Sequence, residues 1–172
     1  VGHGTTTTTN AVIQRNGAKT AFLVNEGFRD ILLIGRQNRP TLFDLKAVRP
    51  DPLVARELCF TARGRLAPGG VEVQPLEEGD IRAAGRAMAE AGVETVAVLF
   101  LHSYANPAHE QRATAILQAM LPGIPVCIST EINSEFREYE RGSTTVLNAW
   151  LRPVMDHYLQ SLSELLHAED GL

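Results

Sequence analysis

Two stretches of the chain place a glycine, a cluster of hydroxyl side chains and an Asn-Ala pair in the same order. The first is GTTTTTNA at residues 4–11 and the second is GSTTVLNA at residues 142–149. A helix start offers free N–H groups and partial positive charge, and glycine lets the backbone approach a ligand closely. The repeat favours a pair of helix starts that face anions. Ordinary helix capping by Ser and Thr is the alternative explanation.

Three further clusters carry polar groups suited to binding or catalysis. Residues 35–40 (GRQNRP) form a donor-rich loop whose two guanidiniums suit a carboxylate or phosphate, although a solvated turn explains them equally. Residues 102–107 (HSYANP) directly follow an apolar run, and ligands bind at the carboxyl ends of strands in open α/β sheets. Residues 135–145 mix charges and hydroxyls, which alone is equally consistent with a surface ion-pair network.

The candidate residues follow from these clusters. His102 is the candidate general acid or substrate donor, because an imidazole titrates near neutral pH; orientation of the strand end is its alternative role. The candidate substrate-binding or phosphate-binding residues are His3, Gly4, Thr5, Thr6, Asn10, Arg36, Gln37, Arg39, Ser103, Tyr104, Asn106, Glu138, Arg141, Ser143, Thr144, Thr145 and Asn148. Asn106 with Pro107 equally suits a helix cap.

Alternating helices and strands must position these residues. Apolar runs predict strands at 21–24, 95–101 and 125–129, and apolar periodicity predicts helices at 5–15, 28–34, 77–91, 107–121 and 143–167. Residues 56–65 and 71–75 alternate like two strands of a projecting β-hairpin, and residues 35–52 form an ordered loop. Pro153 is expected to kink the last helix or to end a first segment near Arg152. The alternation indicates an α/β fold with a parallel layer.

Composition narrows the function classes. A net charge of -4 and a pI of about 5.7 argue against a nucleic-acid surface. The histidines and cysteines lack zinc-site spacing, so no protein-built metal site is expected. No stretch reaches the roughly 20 apolar residues of a membrane helix, and a basic-then-apolar leader is missing, so we expect a cytoplasmic location and no membrane partner.

The same clusters in the same order resemble a known family. HGTT…NAV, EGFRDILLIGRQNRPTLFDL, VLFLHSYANPAHE and EFREYERGSTTVLNAWLRP are similar to the amino-terminal region of the hydantoinase A and 5-oxoprolinase family, which includes acetone carboxylase subunits. The resemblance covers essentially the whole chain. Thr7 and Thr8 depart from it, because the family more often has apolar residues there.

The resemblance implies part of an actin-like, ribonuclease H-like ATPase lobe. The chain is expected to be part of an ATP-dependent hydrolase that couples ATP cleavage to the opening of a cyclic amide such as a hydantoin or 5-oxoproline. ATP and Mg are the expected cofactors of the full-length protein, and a hydantoinase B-type subunit or domain is the expected companion. We expect residues 1–172 to be one domain that lacks the upstream phosphate-binding segment, binds no cofactor alone and is inactive alone. A non-catalytic regulatory or subunit-assembly module is the alternative.

Overall fold

A computed structural model describes residues 6–38 and 50–169 of the protein, with side chains through residue 166. The described strands are β1 (Thr20–Asn25), β2 (Cys59–Ala62), β3 (Arg65–Leu66), β4 (Glu72–Gln74), β5 (Thr95–Leu99) and β6 (Val126–Ile128). The described helices are α1 (Thr7–Gln14), α2 (Ile31–Ile34), α3 (Glu78–Ala91), α4 (Ala108–Met120), α5 (Ser129–Ile132) and α6 (Glu138–Glu169). Arg56–Leu58 forms one turn of 3-10 helix.

A parallel four-stranded sheet with the order β2-β1-β5-β6 lies at the centre. The strands β1 and β5 are buried along their whole length, which is why their interior positions are apolar. Ala21 and Leu23 face a core formed with α3 and α4. Phe22 and Val24 face the opposite core, which α6 and part of α2 cover. The predicted α/β class with a parallel layer is confirmed.

The predicted hairpin is present but shorter than the sequence pattern indicated. Residues 56–65 do not form one hairpin strand, because β2 joins the parallel sheet beside β1. Only β3 pairs in antiparallel fashion with β4. Gly64 separates β2 from β3 with a φ of +146°, and a Cβ there would lie 3.0 Å from the Leu76 Cα. This glycine therefore changes the chain direction between the two sheets.

The last helix begins earlier than predicted and continues past Pro153. The predicted start at Ser143 is wrong, because α6 begins at Glu138. Acidic side chains in its first turn suit a helix amino terminus. Arg141, Thr145 and Ala149 are all buried, so the buried stripe extends upstream of Ser143. Packing on the sheet and on α1 outweighs the local cost of Pro153, whose ring removes one helical hydrogen bond.

The remaining predicted helices are confirmed within one or two residues at most ends. Helix α3 places Ile81, Ala84 and Met88 in the core, as its periodicity predicted. The carboxylate of Glu77 accepts a hydrogen bond from Gly79 N at its start, and left-handed Gly92 ends it. Among the described residues, no helix is both long enough and apolar enough to cross a membrane.

Candidate functional site

The carboxyl edge of the parallel sheet is held together by a buried asparagine. Asn25 is the last residue of β1. Its Nδ2 donates to the Gly64 carbonyl at 2.8 Å, and its Oδ1 accepts from Leu101 N at 2.6 Å. Gly64 follows β2 and Leu101 follows β5, so one side-chain amide joins the chains that leave both neighbouring strands.

Glu110 supplies a second link, between the ends of β5 and β6. Its Oε1 accepts hydrogen bonds from Phe100 N at 2.8 Å, Ser103 Oγ at 2.8 Å and Ser129 Oγ at 2.6 Å. Its Oε2 accepts from the backbone N and the hydroxyl of Thr130, both at 3.1 Å. Glu110 is 0% exposed. These donors take the place of water around a buried carboxylate.

Arg141 reaches the same edge from α6, on the other side of the sheet. It is 0% exposed, and its Nη2 donates to the Phe100 carbonyl while its Nη1 donates to the Glu135 carbonyl at 3.2 Å. The guanidinium lies 5.5 Å from the centre of the Tyr104 ring. Burial lowers the pKa of Arg141, and the charge of Glu110 opposes that effect. Two oppositely charged side chains thus fix the same strand end.

His102 and Tyr104 lie on the turn that this network supports. His102 has a left-handed φ of +57°, which is uncommon for a residue with a side chain. Its Nδ1 lies 3.3 Å from the Tyr104 hydroxyl, and the two rings meet edge to face. Both side chains are partly exposed. An imidazole and a phenol so placed can donate or accept a proton at one surface.

A cavity of about 420 Å³ lies beside this edge, between α2 and the start of α6. Arg36 and Glu140 form an ion pair on its wall, and the hydrogen bond from Arg36 lowers the pKa of Glu140. Glu138 also lines this cavity. Ser143 lines the adjoining cavity with Arg36, and Gln37 is exposed in a left-handed conformation.

Several predicted residues use their polar groups within the fold. Asn106 Oδ1 accepts from Ala108 N at 3.0 Å, and its Nδ2 donates to the Gly70 carbonyl at 2.9 Å, so it caps α4 and holds the hairpin. Thr144 and Thr145 donate their hydroxyls to the carbonyls of Glu140 and Arg141, one turn back in α6. Asn148 is exposed on the same helix.

The prediction of a second helix start at residues 142–148 is wrong. Gly142 lies inside α6, where a Cβ would stand 3.0 Å from the Leu99 side chain. The peptide N–H groups of this stretch belong to the helix interior, so they are not free to bind an anion. The first predicted helix start is present, because α1 begins at Thr7, although Thr6 makes no side-chain capping hydrogen bond. His3, Gly4, Thr5 and Arg39 lie outside the described residues.

Asn10 and the start of the second stretch lie towards different ends of the sheet. Asn10 lines a groove with Glu94, Pro153 and His157, and Glu94 immediately precedes β5. Arg141 lies where β5 ends. Between Arg141 and Pro153, α6 rises by about 18 Å at 1.5 Å per residue. The structure therefore brings together His102, Ser103, Tyr104 and Arg141, and it separates Thr6 and Asn10 from them.

The described residues show how the candidate charged groups are already engaged. No group of three or more His, Cys, Asp or Glu side chains within the described ranges is placed to hold a metal ion. The buried Arg141 is committed to backbone carbonyls, and Arg36 is paired with Glu140. We therefore derive no step of a reaction through a metal held by these residues.

A comparison with protein families identifies the family to which this chain belongs. The model for the hydantoinase/oxoprolinase N-terminal region matches residues 1–121, which include His102 and Glu110. The chain belongs to the hydantoinase/oxoprolinase family. The resemblance inferred from the sequence motifs is confirmed.

Named relatives of this hydantoinase/oxoprolinase chain include enzymes and enzyme subunits. It is 39% identical to the caprolactamase subunit alpha of Pseudomonas jessenii over 165 residues, 95% of this chain and 24% of that protein. It is 33% identical to the acetophenone carboxylase gamma subunit of Aromatoleum aromaticum, over 97% of this chain and 25% of that subunit. Its identity to the 5-oxoprolinase of Saccharomyces cerevisiae is 32%, over 97% of this chain and 15% of that enzyme.

A solved structure repeats the fold. The crystal structure of the ATP-dependent caprolactamase from Pseudomonas jessenii superposes with a TM-score of 0.89, over 95% of this chain and 24% of that one. The hydantoinase/oxoprolinase chain thus spans about a quarter of the length of this relative.

Two residues central to the edge were missed by sequence reasoning. Glu110 lies one turn before Ala113 and two before Leu117, so it occupies the buried stripe of α4. A carboxylate on an apolar stripe is a usable signal, because such a group must find donors inside the fold. Asn25 ends β1 one residue beyond the strand predicted at 21–24. Its position at the carboxyl end was the available signal.

Proposed function

We propose that this chain is part of an ATP-dependent enzyme that opens a cyclic amide. The observation that carries the proposal is membership of the hydantoinase/oxoprolinase family, supported by the likeness to an ATP-dependent caprolactamase. An amide is a poor electrophile, and a phosphoryl group transferred from ATP to its oxygen would make the carbonyl carbon easier for water to attack. The substrate class is a lactam, hydantoin or 5-oxoproline ring.

In this proposal the chain contributes side chains that donate or accept protons at the carboxyl edge of the sheet. His102 acts as general acid or as a hydrogen-bond donor to the ring, and Tyr104 shares that edge through its hydroxyl 3.3 Å from His102 Nδ1. The actin-like lobe, the binding of ATP with Mg and a cytoplasmic location remain parts of the proposal. The remaining three quarters of the caprolactamase-type chain would complete the nucleotide site.

A companion subunit is the proposed partner. Two relatives are named as subunits, caprolactamase alpha and acetophenone carboxylase gamma. We propose a hydantoinase B-type companion, which would close the substrate site together with the edge that carries His102. Glu110 and Arg141 use their charged groups for hydrogen bonds inside the fold, which favours a second hypothesis. In that hypothesis this region is an assembly lobe without a catalytic group.

The decisive experiment uses the full-length protein with its companion subunit. Phosphate release and ring-opened product are measured with 5-oxoproline, hydantoin or caprolactam, with and without ATP. A ketone with bicarbonate is included as the carboxylase alternative. We expect ATP-dependent opening of at least one ring, and product formed only from the ketone would contradict the proposal.

His102→Ala distinguishes the hypothesis that this region is catalytic from the hypothesis that it is an assembly lobe. We expect a fall in kcat of about 100-fold, within the usual range for a general acid or base. His157→Ala is the matched control, because His157 is an exposed histidine on α6 near the opposite edge of the sheet. Full activity in His102→Ala would favour the assembly lobe.

A further inference from the structure

The backbone N–H and carbonyl of Phe100 are held by side chains from opposite faces of the sheet. Its N–H donates to Glu110 Oε1 at 2.8 Å, from the layer that contains α4. Its carbonyl accepts from Arg141 Nη2, which belongs to α6 in the opposite layer, and from Ser103 Oγ at 2.7 Å. Leu101 N donates to Asn25 Oδ1. The backbone is therefore fixed by side chains just beyond the end of β5.

The carboxylate of Glu110 is saturated by donors. Five donor contacts reach its two oxygens, from Phe100, Ser103, Ser129 and Thr130, and the single proton of the Ser103 hydroxyl is shared between Glu110 and the Phe100 carbonyl. An ionised carboxylate has only acceptor sites, about four lone pairs in all. The backbone N–H groups of Phe100 and Thr130 each face one of the two oxygens, so an amide in this place would present a donor to a donor at one of them.

The fixed backbone leads to His102, whose own backbone has an unfavourable conformation. His102 has φ of +57°, and its carbonyl accepts from Ala105 N at 3.0 Å and Asn106 N at 3.3 Å. Such conformations persist when the surrounding structure over-determines them. Here the preceding residues are fixed by Glu110, Arg141 and Asn25, and the following Ser103 is fixed by Glu110.

We propose that Glu110 is a positioning residue, whose buried carboxylate holds the turn that presents His102 beside Tyr104. This inference rests on the proposed function, in which His102 contacts the reacting ring. Glu110 is 0% exposed, so it acts through Phe100 and Ser103 and does not contact substrate. Its effect is the orientation of an imidazole at the carboxyl edge, and small misplacements of such groups reduce turnover strongly.

The kinetic test is Glu110→Gln in the full-length protein with its companion subunit. The glutamine keeps the shape but replaces one acceptor by a donor. We expect kcat to fall about 10- to 100-fold with the KM for ATP unchanged, because the orientation of His102 is lost while nucleotide binding is not. Glu110→Asp keeps the charge and should recover part of kcat.

Two further variants separate positioning from stability. Ile116→Ala removes a buried side chain from the same helix, far from the network, and should lower Tm without lowering kcat of the folded enzyme. Ser103→Ala removes one hydrogen bond to Glu110 and should give an intermediate fall in kcat. This variant provides the test if Glu110→Gln fails to fold. Loss of Tm without loss of kcat in both network variants would overturn the inference.

A structural readout keeps this test independent of the proposed activity. In a crystal structure of the full-length Glu110→Gln or Ser103→Ala protein, we expect His102 to leave the left-handed region and the His102–Tyr104 contact to open. An unchanged φ and an intact contact would overturn the positioning role. If the wild-type enzyme opens no cyclic amide, the proposed function fails, and this readout still decides whether Glu110 positions His102.

Discussion

At the scale of single residues, the carboxyl edge holds two buried opposite charges without a direct ion pair between them. Glu110 is satisfied by hydroxyls and peptide N–H groups, and Arg141 by carbonyls and the Tyr104 ring. Arg141 Nε has no hydrogen-bond partner within the described residues. A buried charge is costly unless polar groups replace its water. The backbone of Phe100 lies between the two charges: its N–H donates to Glu110 and its carbonyl accepts from Arg141.

An exposed ion pair gives a pH-dependent prediction at the same scale. Arg63 donates to both carboxylate oxygens of Asp80, at 2.8 and 2.9 Å, and these hydrogen bonds lower the pKa of Asp80 below its ordinary value of 3.8. The pair therefore stabilises the folded protein above pH 3.8, and this contribution is lost as the pH falls through the folded pKa. We expect Asp80→Asn to be less stable than wild type at pH 7.

Urea unfolding at pH 7 and near pH 3 checks this prediction. The difference between wild type and Asp80→Asn should shrink at the lower pH and in high salt, because the pair is partly exposed. Glu90→Gln, on the exposed face of α3, controls for the removal of one negative charge. A difference that stays constant between the two pH values would contradict the assignment.

At the scale of elements, the approach of α1 to α6 depends on one glycine. A Cβ on Gly17 would stand 2.1 Å from the ring of Trp150, which is 5% exposed. Ala18 N donates to the Trp150 carbonyl at 3.0 Å, so the chain is held against the helix at this point. The loop after α1 can therefore pass beneath the indole only without a side chain.

We expect Gly17→Ala to lower the free energy of unfolding by about 1–3 kcal/mol, because the added methyl forces Trp150 or the loop to move. Thermal unfolding and near-ultraviolet circular dichroism of Trp150 measure the effect. Gly79→Ala is the matched control, since its Cβ would meet only the flexible Glu77 carboxylate at 3.1 Å. An unchanged Tm in Gly17→Ala would show that this contact is not tight.

At the scale of the whole molecule, the described residues form an α/β structure, and the chain spans about a quarter of the caprolactamase that it resembles. Its described residues do not assemble a metal-binding cluster. His102 and the cavity at the start of α6 both lie at the carboxyl side of the sheet. In the proposed function, other parts of the protein or the proposed partner would complete the nucleotide and substrate sites.

We expect purified residues 1–172 to hydrolyse ATP no faster than the background rate. The measurement is phosphate release with Mg-ATP, with and without cyclic amides. The full-length protein with the proposed companion subunit is the positive control, and circular dichroism of the isolated chain verifies that it is folded. Turnover by the folded piece above background would place the complete nucleotide site inside these residues.

The sequence by itself determined most of the helices and strands and the edge where polar groups gather. Apolar runs and periodicity depend on local residue order, so β1, β5, β6, α3 and α4 could be predicted from them. The cluster after β5 was likewise predicted, because a strand and the residues that follow it are contiguous in the chain.

Only the tertiary structure decided where α6 begins, which strand β2 pairs with and what Glu110 does. Pairing β2 with β1 and packing Arg141 on β5 join residues far apart in sequence, and no local pattern records such contacts. Gly142 looked like a helix start because glycine and hydroxyl residues favour caps, yet close packing on Leu99 requires a glycine inside the helix. Burial and long-range partners, rather than residue type, therefore decided these roles.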